Sequence, residues 1–205
     1  GVDLSRVEKV RLHTSHHTHY VIGTGANDPQ KMDPEASRET LDHSIMYILA
    51  VALEDGAWHH ENSYTSERAA RPETVTLWRK VETREDPVWS ARYHADDPSE
   101  RAFGGRLEII MDNGQVISAE KAVADAHPNG AKPWAWNDYV SKFDSLTANM
   151  IARSERDRFI GAAQNLAGLA ATDLQILHPE LPEGATAPTT PTGKGLFDWG
   201  LSALL

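Results

Sequence analysis

The first regular pattern along the chain is an alternation of apolar and charged side chains over residues 7–13. Val10 and Leu12 alternate there with Lys9 and Arg11. A period of two is typical of a β-strand that buries one of its faces. The pattern therefore predicts a strand over 7–13.

A helical period replaces this alternation from Thr40 onward. Apolar residues three and four positions apart form one stripe, and Gly56 follows it, as glycine often does just past a helix end. The stripe consists of Leu41, Ile45, Ile48, Leu49, Ala52 and Leu53. We predict one continuous amphipathic helix from Thr40 to the residue before Gly56.

A shorter helix, a second strand and a β-hairpin are predicted next. Pro72 suits the first turn of a helix that runs through Trp78, and residues 80–85 are assigned as a strand. Further on, Asn113-Gly114 separates two alternating segments, which is the strongest short-range signal for a hairpin. The part of the chain up to this point is therefore expected to mix helices and strands.

After residue 134 the pattern is helical. Asn137 is placed to cap a helix, and Ser154 with Asp157 has the spacing of a capping box for a second helix over 159–177. The apolar face of the first helix consists of Tyr139, Phe143, Leu146 and Met150. Such a helical hairpin needs another surface to cover its apolar face.

Composition and charge narrow the class of protein. The 205 residues include no cysteine and carry a formal net charge of −10. Disulfides, thiolate zinc sites and iron–sulfur clusters held by this chain are excluded, and nucleic acid and anionic membrane surfaces are unfavourable partners. No apolar run approaches the ~20 residues of a membrane span. We predict a cytoplasmic globular protein, and the start at Gly1, without a signal-peptide layout, suggests a piece of a longer chain.

The segment LHTSHHTHY, residues 12–20, places four histidines at the end of the first predicted strand. If the strand continues, His16 points to one side and the other three histidines point to the opposite side. Three interpretations stay open: a metal site completed by residues from elsewhere, a hydrogen-bonding strand end, and a contact between one or two side chains and a substrate.

Two other sets of residues are candidates for chemistry. His43 and Tyr47 are four positions apart in the predicted helix, so they share a face near its N-terminus, where the helix dipole disfavours protonation of His43. A plain surface pair is the alternative. Lys31 and Lys132 are candidates for holding carboxylate groups as point charges. No dinucleotide fingerprint or serine nucleophile motif is present.

Four segments carry a family likeness together with the Tyr20-Val21 pair: DPQKMDPEASRETLDHSIMYILAVALEDG, RPETVTLWRKVETREDP, RYHADDPSERAFGGRLEIIMDNGQ and VADAHPNGAKP. In these segments the chain resembles the C-terminal part of 2-methylcitrate dehydratases in the MmgE/PrpD superfamily. The resemblance extends over residues 7–177 and is most specific around Asp42-His43-Ser44 and 92–105.

This resemblance implies an α+β fold. Residues 1–133 are expected to form a small mixed α/β domain with a β-hairpin that covers a substrate cleft. Residues 134–180 are expected to form a C-terminal helical hairpin that packs on a helical domain largely missing from this chain. For 181–205, the Pro/Thr/Gly-rich composition itself predicts a flexible tail. The implied partners are the helical N-terminal portion of the same enzyme and a second copy in a homodimer.

The reaction that the resemblance implies is loss of water from 2-methylcitrate to give 2-methyl-cis-aconitate, a step of propionate catabolism, with no cofactor. Such an elimination needs a base, an acid and cationic groups for the substrate's carboxylates. In the family, most of these groups come from the portion missing here. The alternatives are a related polycarboxylate enzyme, of the cis-aconitate decarboxylase or epimerase type, a non-catalytic binding fragment and a metal-binding histidine module.

Within this chain, the resemblance assigns catalytic roles to Tyr20 and His43. Tyr20 corresponds to a tyrosine that lines the cleft of related cis-aconitate decarboxylases, where it can hydrogen-bond to a carboxylate or to the reacting hydroxyl. Gly130 corresponds to a glycine turn near the cleft, and Lys132 and Lys31 are further substrate-binding candidates. The resemblance supplies no metal.

Overall fold

The structure is a computed structural model that describes residues 1–185, and these residues divide into two compact units. The first unit comprises Gly1–Ala124, and the second begins at Asp125. The predicted flexible tail lies outside the described residues from position 186 onward. The assignment of 1–133 and 134–180 to different domains of a larger enzyme stays a prediction.

A four-stranded sheet in the order β2-β1-β3-β4 forms the frame of the first unit. The strands are β1 (Val7–Thr14), β2 (Val81–Glu85), β3 (Gly105–Met111) and β4 (Val116–Lys121). β1 pairs in parallel with β2 and antiparallel with β3, and β4 pairs antiparallel with β3. The α+β class, both predicted strands and the hairpin are confirmed.

Short helices surround this sheet, and two longer ones belong to the second unit. The α-helices are α1 (His16–Val21), α2 (Arg38–Asp42), α3 (Ile45–Asp55), α4 (Ser66–Ala69), α5 (Pro72–Trp78), α6 (Pro87–Tyr93), α7 (Trp136–Thr147) and α8 (Arg153–Gln164). Turns of 3₁₀ helix lie at Leu4–Arg6, Thr24–Ala26, Pro29–Met32, Asn62–Tyr64, Leu166–Gly168 and Ala171–Leu177. Within residues 1–185, no helix has the length and apolar character needed to cross a membrane.

The two faces of the sheet differ because successive side chains of a strand point to opposite sides. On one face, Arg11 lies between two carboxylates, 2.7 Å from Glu82 and 3.8 Å from Glu108. The other face packs against α3 and α5 to form the core of the first unit. The core includes Val7, Val10, Met46, Tyr47, Ala50, Val51, Leu77, Trp78, Val81, Ile109 and Met111.

The predicted continuous helix is two helices. α2 ends at Asp42, and Ser44 starts α3, since its hydroxyl oxygen accepts a hydrogen bond from the Tyr47 backbone N–H at 3.3 Å. The predicted end is confirmed, because Gly56 follows α3 with a φ of +66°. The predicted stripe is wrong in its details: most of its members are half-buried, and the buried face of α3 consists of Met46, Tyr47, Ala50 and Val51.

In the hairpin turn, only the glycine of the Asn113-Gly114 pair adopts the left-handed conformation. Gly114 has a φ of +79°, whereas Asn113 lies outside the left-handed region. Met111 and Gln115 close the loop with a 2.9 Å hydrogen bond from the Met111 N–H to the Gln115 carbonyl. This is a three-residue loop with glycine at its left-handed position.

α6 is one of the helices of the first unit that the periodicity did not indicate. The Asp86 side chain accepts a hydrogen bond from the Val88 N–H at 2.9 Å, and Pro87 occupies the first helical position. Both features are common helix starts, so a search for capping residues finds this helix where a search for apolar stripes does not.

In the second unit the predicted helix starts are wrong. Ala135 precedes α7 and Ala152 precedes α8, so neither Asn137 nor Ser154 is a cap. The Asp138 carboxylate binds the Ala135 N–H at 2.8 Å instead. α8 also begins earlier and ends earlier than predicted, and most of 165–177 is 3₁₀ helix and irregular chain.

The two long helices contact each other through stacked aromatic rings. The centroids of Phe143 and Phe159 are 4.9 Å apart, and Arg156 pairs with Asp144 across the same contact. Neither helix has a buried residue. An apolar face on these helices is therefore left exposed in the second unit, as the sequence pattern predicts.

Candidate functional site

The histidine segment does not continue the strand. β1 ends at Thr14, and Ser15 starts α1 because its hydroxyl oxygen accepts a hydrogen bond from the Thr18 N–H at 3.2 Å. The conditional assignment of histidines to two faces of a strand is therefore wrong. On α1, His16, His19 and Tyr20 are three and four positions apart and share one side of the helix.

Each of the four histidines has a different partner. His13 lies on the charged face of the sheet, with Nε2 3.0 Å from a Glu108 oxygen. His16 contacts Glu85 on β2 and His19 contacts Thr83, whereas the ring of His17 stacks on Tyr93 of α6 with centroids 5.1 Å apart. Among the described residues, no group of three or more histidine, aspartate or glutamate side chains is arranged to hold a metal ion.

Tyr20 is an exposed aromatic residue of α1. It is 48% exposed, and its ring contacts the rings of His16 and His19, with centroid distances of 4.5 and 4.6 Å. Its hydroxyl makes no hydrogen bond within the described part of the chain. The phenol can therefore donate to or accept from an external group.

His19 is the least exposed of the α1 histidines. Its Nδ1 lies 2.6 Å from the Thr83 hydroxyl oxygen, and Thr83 is buried. Burial is the main cause that lowers the pKa of His19 below its usual value. This histidine is accordingly held in its neutral form more firmly than a free imidazole.

Backbone and side-chain hydrogen bonds bring the segments of three predicted site residues together. The Ile45 N–H donates to the Ile22 carbonyl at 2.9 Å, which joins the end of α1 to the start of α3. The Ser44 hydroxyl donates to the Lys31 carbonyl at 2.7 Å. The segments that carry Tyr20, Lys31 and His43 thus meet at the start of α3.

His43 lies between two helices, immediately before Ser44, the residue that starts α3. It follows the last residue of α2, and its Nδ1–H donates to the Glu39 carbonyl at 2.8 Å, which leaves Nε2 as the basic nitrogen of the neutral ring. The predicted pairing with Tyr47 is wrong, because Tyr47 is fully buried and its hydroxyl donates to the Ser63 carbonyl at 2.5 Å. His43 is exposed and therefore accessible to an external group. Its proton-transfer role stays a prediction.

Lys31 is already engaged with a carboxylate of the chain. Its Nζ lies 3.0 Å from Asp28, and the side chain is only 12% exposed. A substrate carboxylate at this amine has to share it with Asp28 or displace that side chain. Substrate binding by Lys31 stays a prediction.

Gly130 and Lys132 belong to the second unit, in the loop before α7. The Gly130 N–H donates to the His127 carbonyl at 2.7 Å, which closes a tight turn, and the Lys132 N–H donates to the Asp125 carbonyl at 3.0 Å. A turn is therefore present at Gly130, and both its correspondence to the family's glycine turn and its role in substrate binding stay predictions.

A mostly apolar groove of about 510 Å³ borders α1 in the first unit. Leu12 of β1, Leu107 of β3 and Ile45 of α3 line it, with Thr18 and Ile22 contributed by the α1 segment. A lining of this kind does not neutralise a tricarboxylate, which requires several cationic groups. Within the described residues, the groove does not supply a complete substrate site.

The functional feature that sequence reasoning missed is the role of β2 in holding α1. Thr83 and Glu85 were singled out by no motif, and each contacts a histidine more than sixty positions away in sequence. A β-branched threonine in a strand is ordinary, so composition and periodicity carry no signal for such contacts.

The fold defines a class: a small α+β domain with a four-stranded mixed sheet and an exposed tyrosine and histidine surface at one helix. The model of the MmgE/PrpD C-terminal domain family matches residues 1–167. The chain belongs to this family.

A curated relative extends this finding. The protein described as "2-methylcitrate dehydratase, mitochondrial", from Yarrowia lipolytica (strain CLIB 122 / E 150), is 37% identical to this chain over 76 residues. The match covers 37% of this chain and 14% of the relative. Most of the relative's length therefore has no counterpart in the matched region.

Proposed function

We propose that this chain is the C-terminal part of a 2-methylcitrate dehydratase, a lyase that eliminates water from 2-methylcitrate to give 2-methyl-cis-aconitate. The observation that carries the proposal is the family match across residues 1–167, together with the relative's description. The role of the chain is to cover the substrate cleft and to present Tyr20 to the substrate. Propionate catabolism and a homodimeric assembly are parts of the same proposal.

The described side chains supply one part of the chemistry. Tyr20 offers a hydroxyl without a partner, and His43 offers a basic ring nitrogen on the exposed surface. An elimination also needs cations for three carboxylates, and Lys31 is paired with Asp28. The remaining groups are assigned to the helical N-terminal portion of the enzyme, for which no cofactor is invoked.

A related polycarboxylate enzyme is the alternative with specific support. The family match identifies the superfamily, and the curated relative is matched over only 76 residues, so the substrate rests on a narrower basis than the family.

The compartment is also part of the proposal: the chain's composition suggests the cytoplasm, whereas the relative is described as mitochondrial.

The test is a substrate comparison with an assembled enzyme. The N-terminal part of the Yarrowia lipolytica enzyme, up to its match, is fused to this chain, and folding is checked by circular dichroism. The fusion is then given 2-methylcitrate, citrate and cis-aconitate in separate assays. We expect formation of the conjugated double bond of 2-methyl-cis-aconitate from 2-methylcitrate at the highest kcat/KM.

Each outcome of this comparison has a distinct meaning. Release of carbon dioxide from cis-aconitate, without dehydration of 2-methylcitrate, replaces the proposal with the decarboxylase alternative. A folded fusion that binds these acids without converting them identifies a binding fragment. Because the relative's own intact enzyme is assayed in parallel, a defective assay is recognised.

A further inference from the structure

We infer that His19 and His16 are positioning residues that hold the Tyr20 phenol in one orientation, with His19 as the neutral Nε2–H tautomer bound to Thr83. This inference rests on the proposed function for the role of Tyr20. It also gives the histidine segment a role that needs no metal. The geometry around β2 supports each part of it.

The tautomer follows from an account of the hydroxyl protons. The Thr24 hydroxyl accepts the Thr83 N–H at 3.1 Å and donates its single proton to the Thr83 carbonyl at 3.2 Å. The Thr83 hydroxyl accepts the Thr24 N–H at 3.0 Å and has its own proton left to donate. His19 Nδ1, at 2.6 Å, is a closer acceptor than the Thr24 oxygen, at 3.0 Å. On this shorter distance we assign Nδ1 as the acceptor of the Thr83 proton, which places the ring proton on Nε2.

The opposite side of the His19 ring is enclosed by a glycine. A Cβ atom added to Gly25 comes within 2.5 Å of His19 Nε2 and within 2.6 Å of the neighbouring ring carbon. Any side chain at position 25 thus forces the imidazole to move. Thr83 and Gly25 together fix this ring in a narrow slot.

His16 provides the second contact to Tyr20. Its Nδ1 lies 3.2 Å from a Glu85 oxygen, and Glu85 is two positions after Thr83 in β2. Residues two apart in a strand point to the same side, so the end of β2 holds both histidines. Their rings contact the Tyr20 ring at centroid distances of 4.5 and 4.6 Å.

In the proposed site, the Tyr20 side chain is therefore held in one orientation before substrate binds. A tyrosine held in one rotamer loses little side-chain entropy when its hydroxyl binds a substrate. The ionisable groups that act on His19 are Glu85, Arg84 and His16. Burial is the main cause of the lowered pKa of His19, which agrees with a neutral ring.

Nuclear magnetic resonance of the full chain tests the inference directly. Long-range ¹H–¹⁵N spectra of the histidine rings distinguish an unprotonated Nδ1 from an unprotonated Nε2, and side-chain couplings report the χ1 rotamers of Tyr20. At neutral pH we expect the Nε2–H tautomer for His19 and one dominant χ1 rotamer for Tyr20. An Nδ1–H tautomer, or a Tyr20 ring that averages over several rotamers, overturns the inference.

A matched pair of variants tests the link between the two side chains. Thr83→Val removes the hydroxyl at nearly constant shape, and Thr83→Ser keeps it. The valine variant should lose both the tautomer preference of His19 and the single rotamer of Tyr20, and the serine variant should retain both. Tyr139, in the second unit, should be unchanged in each. Identical spectra for the two variants overturn the inference.

Gly25→Ala is an independent route that leaves the Thr83 hydroxyl in place and keeps the test decisive if Thr83→Val fails to fold. Displacement of the imidazole should shift the ring resonances of Tyr20. Unshifted resonances contradict the inference that His19 positions Tyr20. None of these measurements depends on turnover. Failure of the inferred positioning of Tyr20 is therefore distinguished from failure of the proposed dehydratase function.

Discussion

At the scale of single residues, burial separates two tyrosines with different roles. The Tyr47 hydroxyl donates to the Ser63 carbonyl in the core, whereas the Tyr20 hydroxyl is left for an external partner. A buried acceptor that loses its donor costs the full desolvation of that group. Loss of the hydroxyl should consequently lower the turnover at Tyr20 and the unfolding free energy at Tyr47.

Tyr20→Phe should lower the turnover of the assembled enzyme without lowering its stability. The phenol is half-exposed, and its hydroxyl binds nothing in the described chain, so the change in unfolding free energy should stay within about 0.5 kcal/mol. Steady-state kinetics of the fusion, with urea denaturation of the same protein, measure both quantities. Unchanged kcat and KM remove Tyr20 from the site.

Tyr47→Phe should destabilise the chain by about 1–3 kcal/mol, because the Ser63 carbonyl loses its donor. Burial raises the pKa of Tyr47 to about 12 in the folded chain, against a value of about 10 when unfolded. Since the folded state holds this proton more tightly, the associated stability is complete below pH 10 and is lost as the pH rises toward 12. Urea midpoints between pH 9 and pH 12 should fall less steeply for the phenylalanine variant. Parallel curves contradict this account.

The sequence indicated that the histidine segment was unusual but could not show its contacts. Glu108, Glu85 and Thr83 reach it from strands that are distant in sequence, and only the sheet order brings them close. Tyr20 itself was found through family resemblance. The partners that hold it became visible only in three dimensions.

At the scale of elements, glycine, proline and turn residues predicted the ends of helices and strands better than apolar stripes did. Gly56, Pro72 and Asn113-Gly114 mark a helix end, a helix start and a hairpin as predicted. α3 is apolar on almost every side, so its sequence did not reveal which face is buried. The break at Ser44 was missed because apolar residues continue on both sides of it.

Gly56→Ala and Gly161→Ala should have opposite effects. A Cβ at either position meets no atom within 4 Å, so only the backbone conformation differs. Gly56 has a φ of +66°, where alanine costs about 1–2 kcal/mol. Gly161 lies inside α8, where alanine is favoured by about 1 kcal/mol. Denaturation followed by circular dichroism measures both changes, and equal signs contradict the assigned helix end.

Arg68 joins α4 to the end of α3 and to α5. Its side chain is 4% exposed, and it binds Glu54 at 2.7 Å, Asp55 at 3.0 Å and the Thr74 hydroxyl. Thr74 also donates to Glu54 at 2.7 Å. The guanidinium donates to both carboxylates and to the Thr74 hydroxyl oxygen, so its removal takes this donor from Asp55 and leaves Glu54 with Thr74 as its donor.

Arg68→Met should therefore cost about 1.5–3 kcal/mol of unfolding free energy, because the half-buried Glu54 and the more exposed Asp55 both lose a charged hydrogen-bond donor. Arg68→Lys should recover little, since an ammonium lacks the planar fork that reaches several acceptors. Arg79→Met, at an exposed position of the same unit, is the matched control and should change stability by at most about 0.5 kcal/mol. A small effect at Arg68 identifies the network as marginal to folding.

At the scale of the whole molecule, the chain contains a well-packed first unit and a second unit of exposed helices. The class of fold and the hairpin were predictable, because strand alternation and turn residues act locally. The first unit holds Tyr20, His43 and Lys31, and the second holds Gly130 and Lys132. Cations and acid–base groups for a complete elimination are not assembled among the described residues of either unit.

The central claim is that this chain supplies one part of a dehydratase site. The most direct measurement is the rate of 2-methyl-cis-aconitate formation from 2-methylcitrate by four samples: this chain, the N-terminal part of the Yarrowia lipolytica enzyme, their mixture and their fusion. We predict no turnover by either part alone and turnover by the fusion, reduced by Tyr20→Phe. Turnover by this chain alone, or a folded fusion without activity, contradicts the claim.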